Sequence, residues 1–211
     1  MPEDLREKLL LLIVKARSQV KASTSIWYPA DNIELNKMLL TQLPWKTQEG
    51  PKTHELIFNT KDISSNPDLP KNISIVPFTE EHLEATCSML DKSLSHTFDD
   101  PNSSVFLSNK ENHLIAWLEK AVQGDCCIMV DNGEIAGAYI LEGAKIDFMA
   151  VASHKQGKGL GSLLLHHAKN HILATSNEEP YLYCMDRNPS ALRFYLREGM
   201  KRSGYSGYIM I

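Results

Sequence analysis

The chain has no long apolar run. Its longest, Leu9–Val14, falls far short of the roughly 20 residues a bilayer-spanning helix needs. Glu3, Asp4 and Glu7 precede or flank it, an acidic setting that is wrong for a secretion signal. A cytoplasmic protein with no membrane partner is therefore expected. Cysteine is scarce: Cys87, Cys126, Cys127 and Cys184 are all there is. No two stand as C-x-x-C, which argues against a zinc frame or a disulfide scaffold. They read as buried thiols in a reducing compartment. Positive charge is not in excess either. The formal net charge is −4, which does not suit a nucleic-acid partner. Internal repeats and low-complexity segments are absent. Asn72-Ile-Ser and Asn102-Ser-Ser fit the glycosylation sequon, but without a secretion signal they read as chance matches.

What is present is an ordinary globular composition over 211 residues, enough for one domain with an appendage. Glu3–Val20 carries Leu5, Leu9, Leu12, Ala16 and Val20 at helical spacing. Leu10, Leu11 and Val14 widen that stripe beyond one buried face. Trp27-Tyr28-Pro29 breaks the pattern. Asp31 is placed to cap a second helix, Asn32–Leu43, ended by Pro44. His54–Asn59 has strand character. The turn-rich Asn66-Pro67-Asp68-Leu69-Pro70 marks a boundary. Residues 1–70 thus read as a mainly helical accessory segment, and residues 71–211 as the principal domain.

Beyond the boundary Ile73–Pro77 reads as a strand. Thr79 opens a helix with half of a capping box, since His82 stands where Glu or Gln is usual. Lys110–Val122 is a second helix. Cys127–Val130 and Ile135–Leu141 form a hairpin about Asn132-Gly133, because both turn residues must tolerate positive φ. Ala144–Val151 is a strand and Leu160–Ala174 a helix. A further strand, Leu182–Asp186, a helix and the closing run Lys201–Ile211 complete the order βααβββαβαββ.

The link between Val151 and Leu160 is the most informative stretch. A glycine-rich turn entering a helix offers unpaired backbone N–H groups and the positive end of a dipole to a phosphate. It is not a Walker A loop, because Gly157-Lys158 is followed by Gly159. It is not a dinucleotide fingerprint, because the third glycine would fall at Ser162.

Gln156-Gly157-Lys158-Gly159-Leu160-Gly161 does match the Gln/Arg-x-x-Gly-x-Gly/Ala signature of the GCN5-related N-acetyltransferases. Two further stretches match in order: the hairpin Val130–Gly137, and Asn188-Pro-Ser-Ala191-Leu-Arg-Phe194-Tyr195-Leu-Arg-Glu-Gly199-Met200. Over roughly residues 72–211 the chain resembles that family. The resemblance implies a mixed α/β (α+β) fold, with a central mixed sheet flanked by helices and the mainly helical N-terminal extension.

It also implies acetyl-CoA as cosubstrate, an amine acceptor that reads as a small molecule, and direct attack of the amine on the thioester. Backbone groups of Met149 and Val151 would pair with the pantetheine arm. The N–H groups of Gln156, Gly157, Lys158, Gly159, Leu160 and Gly161 would hold the pyrophosphate, with Lys155 and Lys158 adding charge. Asn188 would meet pantetheine, or simply cap its helix. Tyr195 would be the general acid for the departing thiolate. Asp147 would help deprotonate the amine: polyamine-type members carry an acidic residue there. Histone-type members carry a glutamate where this chain has Lys145. Ser153 and Lys155 replace a frequent proline and a frequent aromatic. His96, Asp99 and Asp100 fall in a loop where acceptor contacts occur. His167 and His171 lie one turn apart but lack a third ligand, so they read with His166 as a polar helix border and no metal is expected. The short closing run leaves the acceptor side either open or covered by residues 1–70. A non-catalytic acyl-CoA-binding module, docking of a protein acceptor through residues 1–70, and a homodimer stay open.

Overall fold

The computed structural model describes residues 2–20, 24–58, 68–98 and 100–211. In chain order the elements are α1 (Glu3–Ser18), β1 (Ser25–Pro29), α2 (Ile33–Gln42), β2 (Gln48–Glu49), β3 (Thr53–Ile57) and β4 (Ile73–Pro77). Then come α3 (Leu83–Leu94), α4 (Lys110–Gln123), β5 (Cys126–Asp131), β6 (Glu134–Glu142) and β7 (Lys145–Val151). Last are α5 (Leu160–Thr175), β8 (Tyr181–Met185), α6 (Pro189–Arg197) and β9 (Lys201–Met210). Contacts divide the chain into two units. Met1–Leu56, Tyr183–Leu192 and Arg202–Ile211 make the first, and Ile57–Leu182 with Arg193–Lys201 the second.

The first unit is organised about β9. β1 pairs with it antiparallel, from Ser25↔Met210 to Pro29↔Ser206. β2 adds Gln48↔Met210 and Glu49↔Ile209, and β3 is its neighbour on the other side from β1. Tyr28, Met38, Leu39, Leu43 and Ile209 form the core, against which Leu9, Leu10 and Ile13 of α1 pack. Burial on α1 is one-sided, because Leu5, Leu11 and Leu12 face outward. Gly207 has a packing reason: a Cβ there would lie 2.7 Å from Tyr28 Oη.

Three expectations change here. Trp27-Tyr28-Pro29 is not merely a break but the end of β1, with Tyr28 buried and Trp27 exposed in strand alternation. Asn32 rather than Asp31 caps α2, its side chain accepting from the Leu35 N–H at 3.1 Å. The closing run is one strand and not two, because β1, β2 and β3 supply its ladder partners. The Asn59 end of the third expected element, Asn66 and Pro67 of the boundary, and Asp99 lie outside the described residues.

In the second unit the order is β8-β7-β6-β5-β4. β7 and β8 are parallel, registered at Lys145↔Tyr181, and the other pairs are antiparallel. The sheet is therefore mixed. Alternation sorts its two faces. Cys126, Ile128, Ala138, Ile140 and Ala150 point to α3 and α4, where Leu90, Phe106 and Trp117 complete the core. Gly137 lies on the other face, where a Cβ would sit 3.3 Å from Leu164 of α5 and 2.8 Å from the Ala150 carbonyl. Asn132 (φ 52°) and Gly133 (φ 83°) make the left-handed turn expected between β5 and β6. His82 completes the capping box that Thr79 was expected to half make. Its Nδ1 takes the Thr79 N–H at 3.2 Å, so an imidazole does the work of the usual carboxylate. All four cysteines are free and buried, and burial pushes Cys126 up to about 12. Among the described residues no helix is long and apolar enough to cross a membrane.

The buried cation Lys155 braces this unit. Lys155, in a 3-10 turn at Ser153–Lys155, places Nζ 2.8 Å from Asp131 and 2.9 Å from Glu134. Hydrogen bonds to the two carboxylates raise the lysine pKa. The same bonds, with Asn72 also donating to Asp131, hold both acids below their ordinary range.

Two outcomes are expected. A chain beginning at Lys71 leaves β9 without β1, β2 and β3 and bares Ile209, so it should aggregate or change oligomeric state, read by light scattering. A monodisperse product as heat-stable as the full chain would count against this. Lys155→Met should melt below the parent at pH 7. The depressed carboxylates contribute stability above about pH 4 that is lost as pH falls through their folded values. The gap in melting temperature should therefore narrow below about pH 4. A gap constant from pH 7 to 3 would mean that lost packing, not charge, explains it.

Candidate functional site

The glycine turn is built from β7 outward. Antiparallel pairing decides which way each β7 backbone group points. The Ala152 N–H donates to the Ala136 carbonyl at 2.8 Å, and Ala138↔Ala150 and Ile140↔Phe148 continue that phase. Even-numbered residues of this stretch therefore spend their N–H and C=O groups on β6. Met149 and Val151, opposite Tyr139 and Gly137, turn theirs away from β6. The Val151 carbonyl already accepts from Gln156 Nε2 at 3.0 Å, leaving its N–H as the outward group.

After Lys155 the chain extends at Gln156 and reverses twice. Gly157 has φ 75° and Gly159 φ 80°, with nothing within 4 Å of a built Cβ at either. These two positions need glycine for backbone conformation and stand in open space. Gly159 is the N-cap of α5; its carbonyl takes the N–H groups of Ser162 at 3.1 Å and Leu163 at 3.3 Å. Helix geometry gives the Leu160 and Gly161 N–H groups no partner within α5. The first turn of α5 carries no acidic residue, so the dipole end keeps its positive character. Leu160 is buried and anchors the turn.

Gly161 has another reason to be glycine. A Cβ there would lie 3.2 Å from Phe194 Cζ. Phe194 therefore brings the end of α6 against the start of α5. Its neighbour Tyr195 is buried, 9% exposed, in edge contact with the Phe194 ring at 5.1 Å. Met149, Val151, residues 156–161 and Tyr195 thus share the second unit. Asn188 belongs to the first. There it caps α6, Oδ1 accepting from the Ala191 N–H at 3.1 Å.

Asp147 is the extra residue of a β-bulge, since Ile140 faces Phe148 while Leu141 faces Ile146. Its Oδ1 accepts from Lys145 Nζ at 2.5 Å. Burial opposes the Lys145 charge, but Asp147, with Glu142 and Tyr181, outweighs it and raises the lysine pKa.

Lys155 does not add charge at the turn surface as expected: it is buried between two carboxylates, whereas Lys158 is exposed. His171 Nε2 meets Asp125 at 2.9 Å and His167 Nδ1 meets Tyr139 Oη at 3.0 Å. Burial, then His171, lowers the His167 pKa. His166 lies 3.6 Å from Glu198. His96 is exposed, and Asp100 accepts from the Asn102 N–H at 2.9 Å.

The sequence reading missed one cluster in the first unit. His54 Nε2 is 2.8 Å from Asp186 Oδ1, Tyr205 donates to Asp186 Oδ2, and the His54 and Tyr205 rings stack at 4.5 Å. The hydrogen bond to Asp186 raises Tyr205 to about 12. No local motif announces residues so far apart in the chain.

A sequence model of the Acetyltransferase (GNAT) family matches residues 75–200. No curated protein matches. A GCN5-related N-acetyltransferase from Sphaerobacter thermophilus superposes with TM-score 0.66 at 14% identity, covering 90% of this chain and 59% of that one. An acetyltransferase of the GNAT family from Colwellia psychrerythraea gives 0.62 at 15%, covering 99% and 72%. A GCN5-related N-acetyltransferase from Kribbella flavida gives 0.58 at 15%, covering 95% and 73%. The chain thus spans about three-fifths of the length of the first of these structures. At such identities the superpositions speak for the fold, and the family match speaks for descent. With mixed sheet, glycine turn and family match in agreement, this chain belongs to the GCN5-related N-acetyltransferase family.

Proposed function

We propose that the chain is an acetyl-CoA-dependent N-acetyltransferase acting on a small amine by direct attack on the thioester. The observation that carries the reading is the pairing of two features of β7 and α5. One is the open turn, with left-handed Gly157 and Gly159. The other is the outward phase of the Met149 and Val151 backbone. The turn would take the pyrophosphate on the N–H groups of residues 156–161. The pantetheine arm would lie along β7 as an added strand, meeting Met149 and the Val151 N–H.

In the chemical step the neutral amine attacks the thioester carbonyl carbon. The tetrahedral intermediate collapses, the C–S bond breaks, and the Tyr195 hydroxyl protonates the departing sulfur. The amine proton leaves to Asp147, directly or through water. Lys145 holds that carboxylate in place. No covalent enzyme intermediate forms, so Cys184 has no part, and burial first of all raises its pKa to about 11.

A second reading rests on α1. Its outward Leu5, Leu11 and Leu12 would meet another chain, either a second copy or a protein acceptor.

The decisive assay is thiol release from acetyl-CoA across amines, polyamines, aminoglycosides and peptides. CoA binding without thiol release for any acceptor would point to a non-catalytic module. For the donor site, Gly157→Asp and Gly157→Asn adopt positive φ with similar strain and differ in charge. The Asp variant should bind CoA at least about tenfold more weakly than the Asn variant by calorimetry. Equal affinities would remove the pyrophosphate from this turn. Tyr195→Phe should lower kcat about a hundredfold with CoA affinity little changed. Asp147→Asn should move the acid limb of the pH–rate profile; an unmoved profile would leave Asp147 as a structural bulge residue.

A further inference from the structure

A groove of about 300 Å³ opens in the second unit between α3 and the segment that leads from β7 into the glycine turn. Its walls have a definite chemistry. Ala85, Ser88, Met89 and Lys92 stand at i, i+3, i+4 and i+7 on α3, so one helix stripe faces it. Ile135 and Ala152 close the opposite side. The floor is therefore apolar, and small side chains on both walls keep it from closing.

Its polar lining is a lysine, a glutamate, a histidine and three serines. Lys92 lies at the rim and has no ion-pair partner among the described residues. Glu134 also reaches the rim; its carboxylate lies 2.9 Å from Lys155, which it shares with Asp131, and 3.7 Å from His154. Ser93 lines the groove and is 6% exposed. The acceptor for its hydroxyl is the thioether of Met89, at 3.7 Å. A sulfur is a weak partner for a buried hydroxyl. A ligand oxygen would satisfy it better. An ammonium without an ion-pair partner among the described residues, three serine hydroxyls and an apolar floor together suit a negative head on a short hydrocarbon chain.

We propose that this groove binds a small straight-chain carboxylate, with its head at Lys92 and the serine hydroxyls and its chain against Met89, Ile135 and Ala152. The site is separate from the acetyl-CoA reading, and its test is run without CoA. The volume is at the lower end of small-molecule pockets, which limits the chain to a few methylenes. The exposed ammonium adds modest affinity, so chain length should dominate.

The full-length protein is titrated by calorimetry and by NMR with butanoate, hexanoate, octanoate and decanoate, and with octan-1-ol as the uncharged control. Affinity should rise about fourfold per added methylene, then stop rising once the groove is full. Octanoate should bind more tightly than octan-1-ol. Lys92→Gln, at an exposed helix position, should erase that preference. Ser88→Phe should fill the groove and abolish binding, while its circular dichroism and melting temperature report that the fold persists. Shift changes should centre on residues 85–93 and 152–154. No saturable binding by any of the four acids would overturn the proposal. So would binding that both substitutions leave intact. Should Ser88→Phe fail to fold, Lys92→Gln decides alone, and an unchanged preference for acid over alcohol would refute it.

Discussion

The buried ammonium of Lys155 is the constraint on which the site geometry depends. It sits one residue before the turn and ties that point of the chain to both strands of the β5–β6 hairpin, through Asp131 and Glu134. A charge removed from water persists only when paired, so the lysine demands these partners and they hold it. The turn that follows thus starts from a fixed place at the end of β7. The Gln156 amide adds a second tie by closing on the Val151 carbonyl. With both in place, Gly157 and Gly159 bend freely without letting the turn wander. Ion pairing thus braces the entry to the turn.

The three glycines of the turn serve two different physical ends. Gly157 and Gly159 are left-handed and surrounded by space, so they are there for the backbone. Gly161 is there for a neighbour, because the Phe194 ring occupies the place of its side chain. A motif written as letters gives all three the same standing. The distinction matters for interpreting substitutions: a side chain at Gly157 enters open space, whereas one at Gly161 pushes on the helix that carries Tyr195.

The N-terminal residues are part of a sheet. β9 is a strand that could not stand as an edge on both sides, and β1, β2 and β3 satisfy its backbone groups. This accounts for a closing run that holds a single strand. It also places His54 of β3 beside Asp186 and Tyr205, joining three stretches of chain in one hydrogen-bonded cluster.

Much of the second unit was legible from local pattern. The Asn132-Gly133 hairpin, the strand before the glycine turn and the helix after it follow from alternation, helical spacing and turn chemistry within a few residues of chain. The family was legible too, because its motifs lie in consecutive segments. Other features depended on distance. β1 was hidden because five residues ending in proline show strand character only once β9 lies beside them. Asn32 outcompeted Asp31 as a cap through the geometry of one turn. Lys155 looked like a surface charge until the hairpin carboxylates, more than twenty residues upstream, closed on it. The phase of the Met149 and Val151 backbone was set by pairing with β6, which no side chain reports. The sequence by itself determined most elements of the second unit and the family, since local propensity and motif spacing act over short range. The tertiary structure alone decided which charge is buried, which backbone groups face outward and which glycine yields to a neighbour, since each depends on groups that only folding brings together.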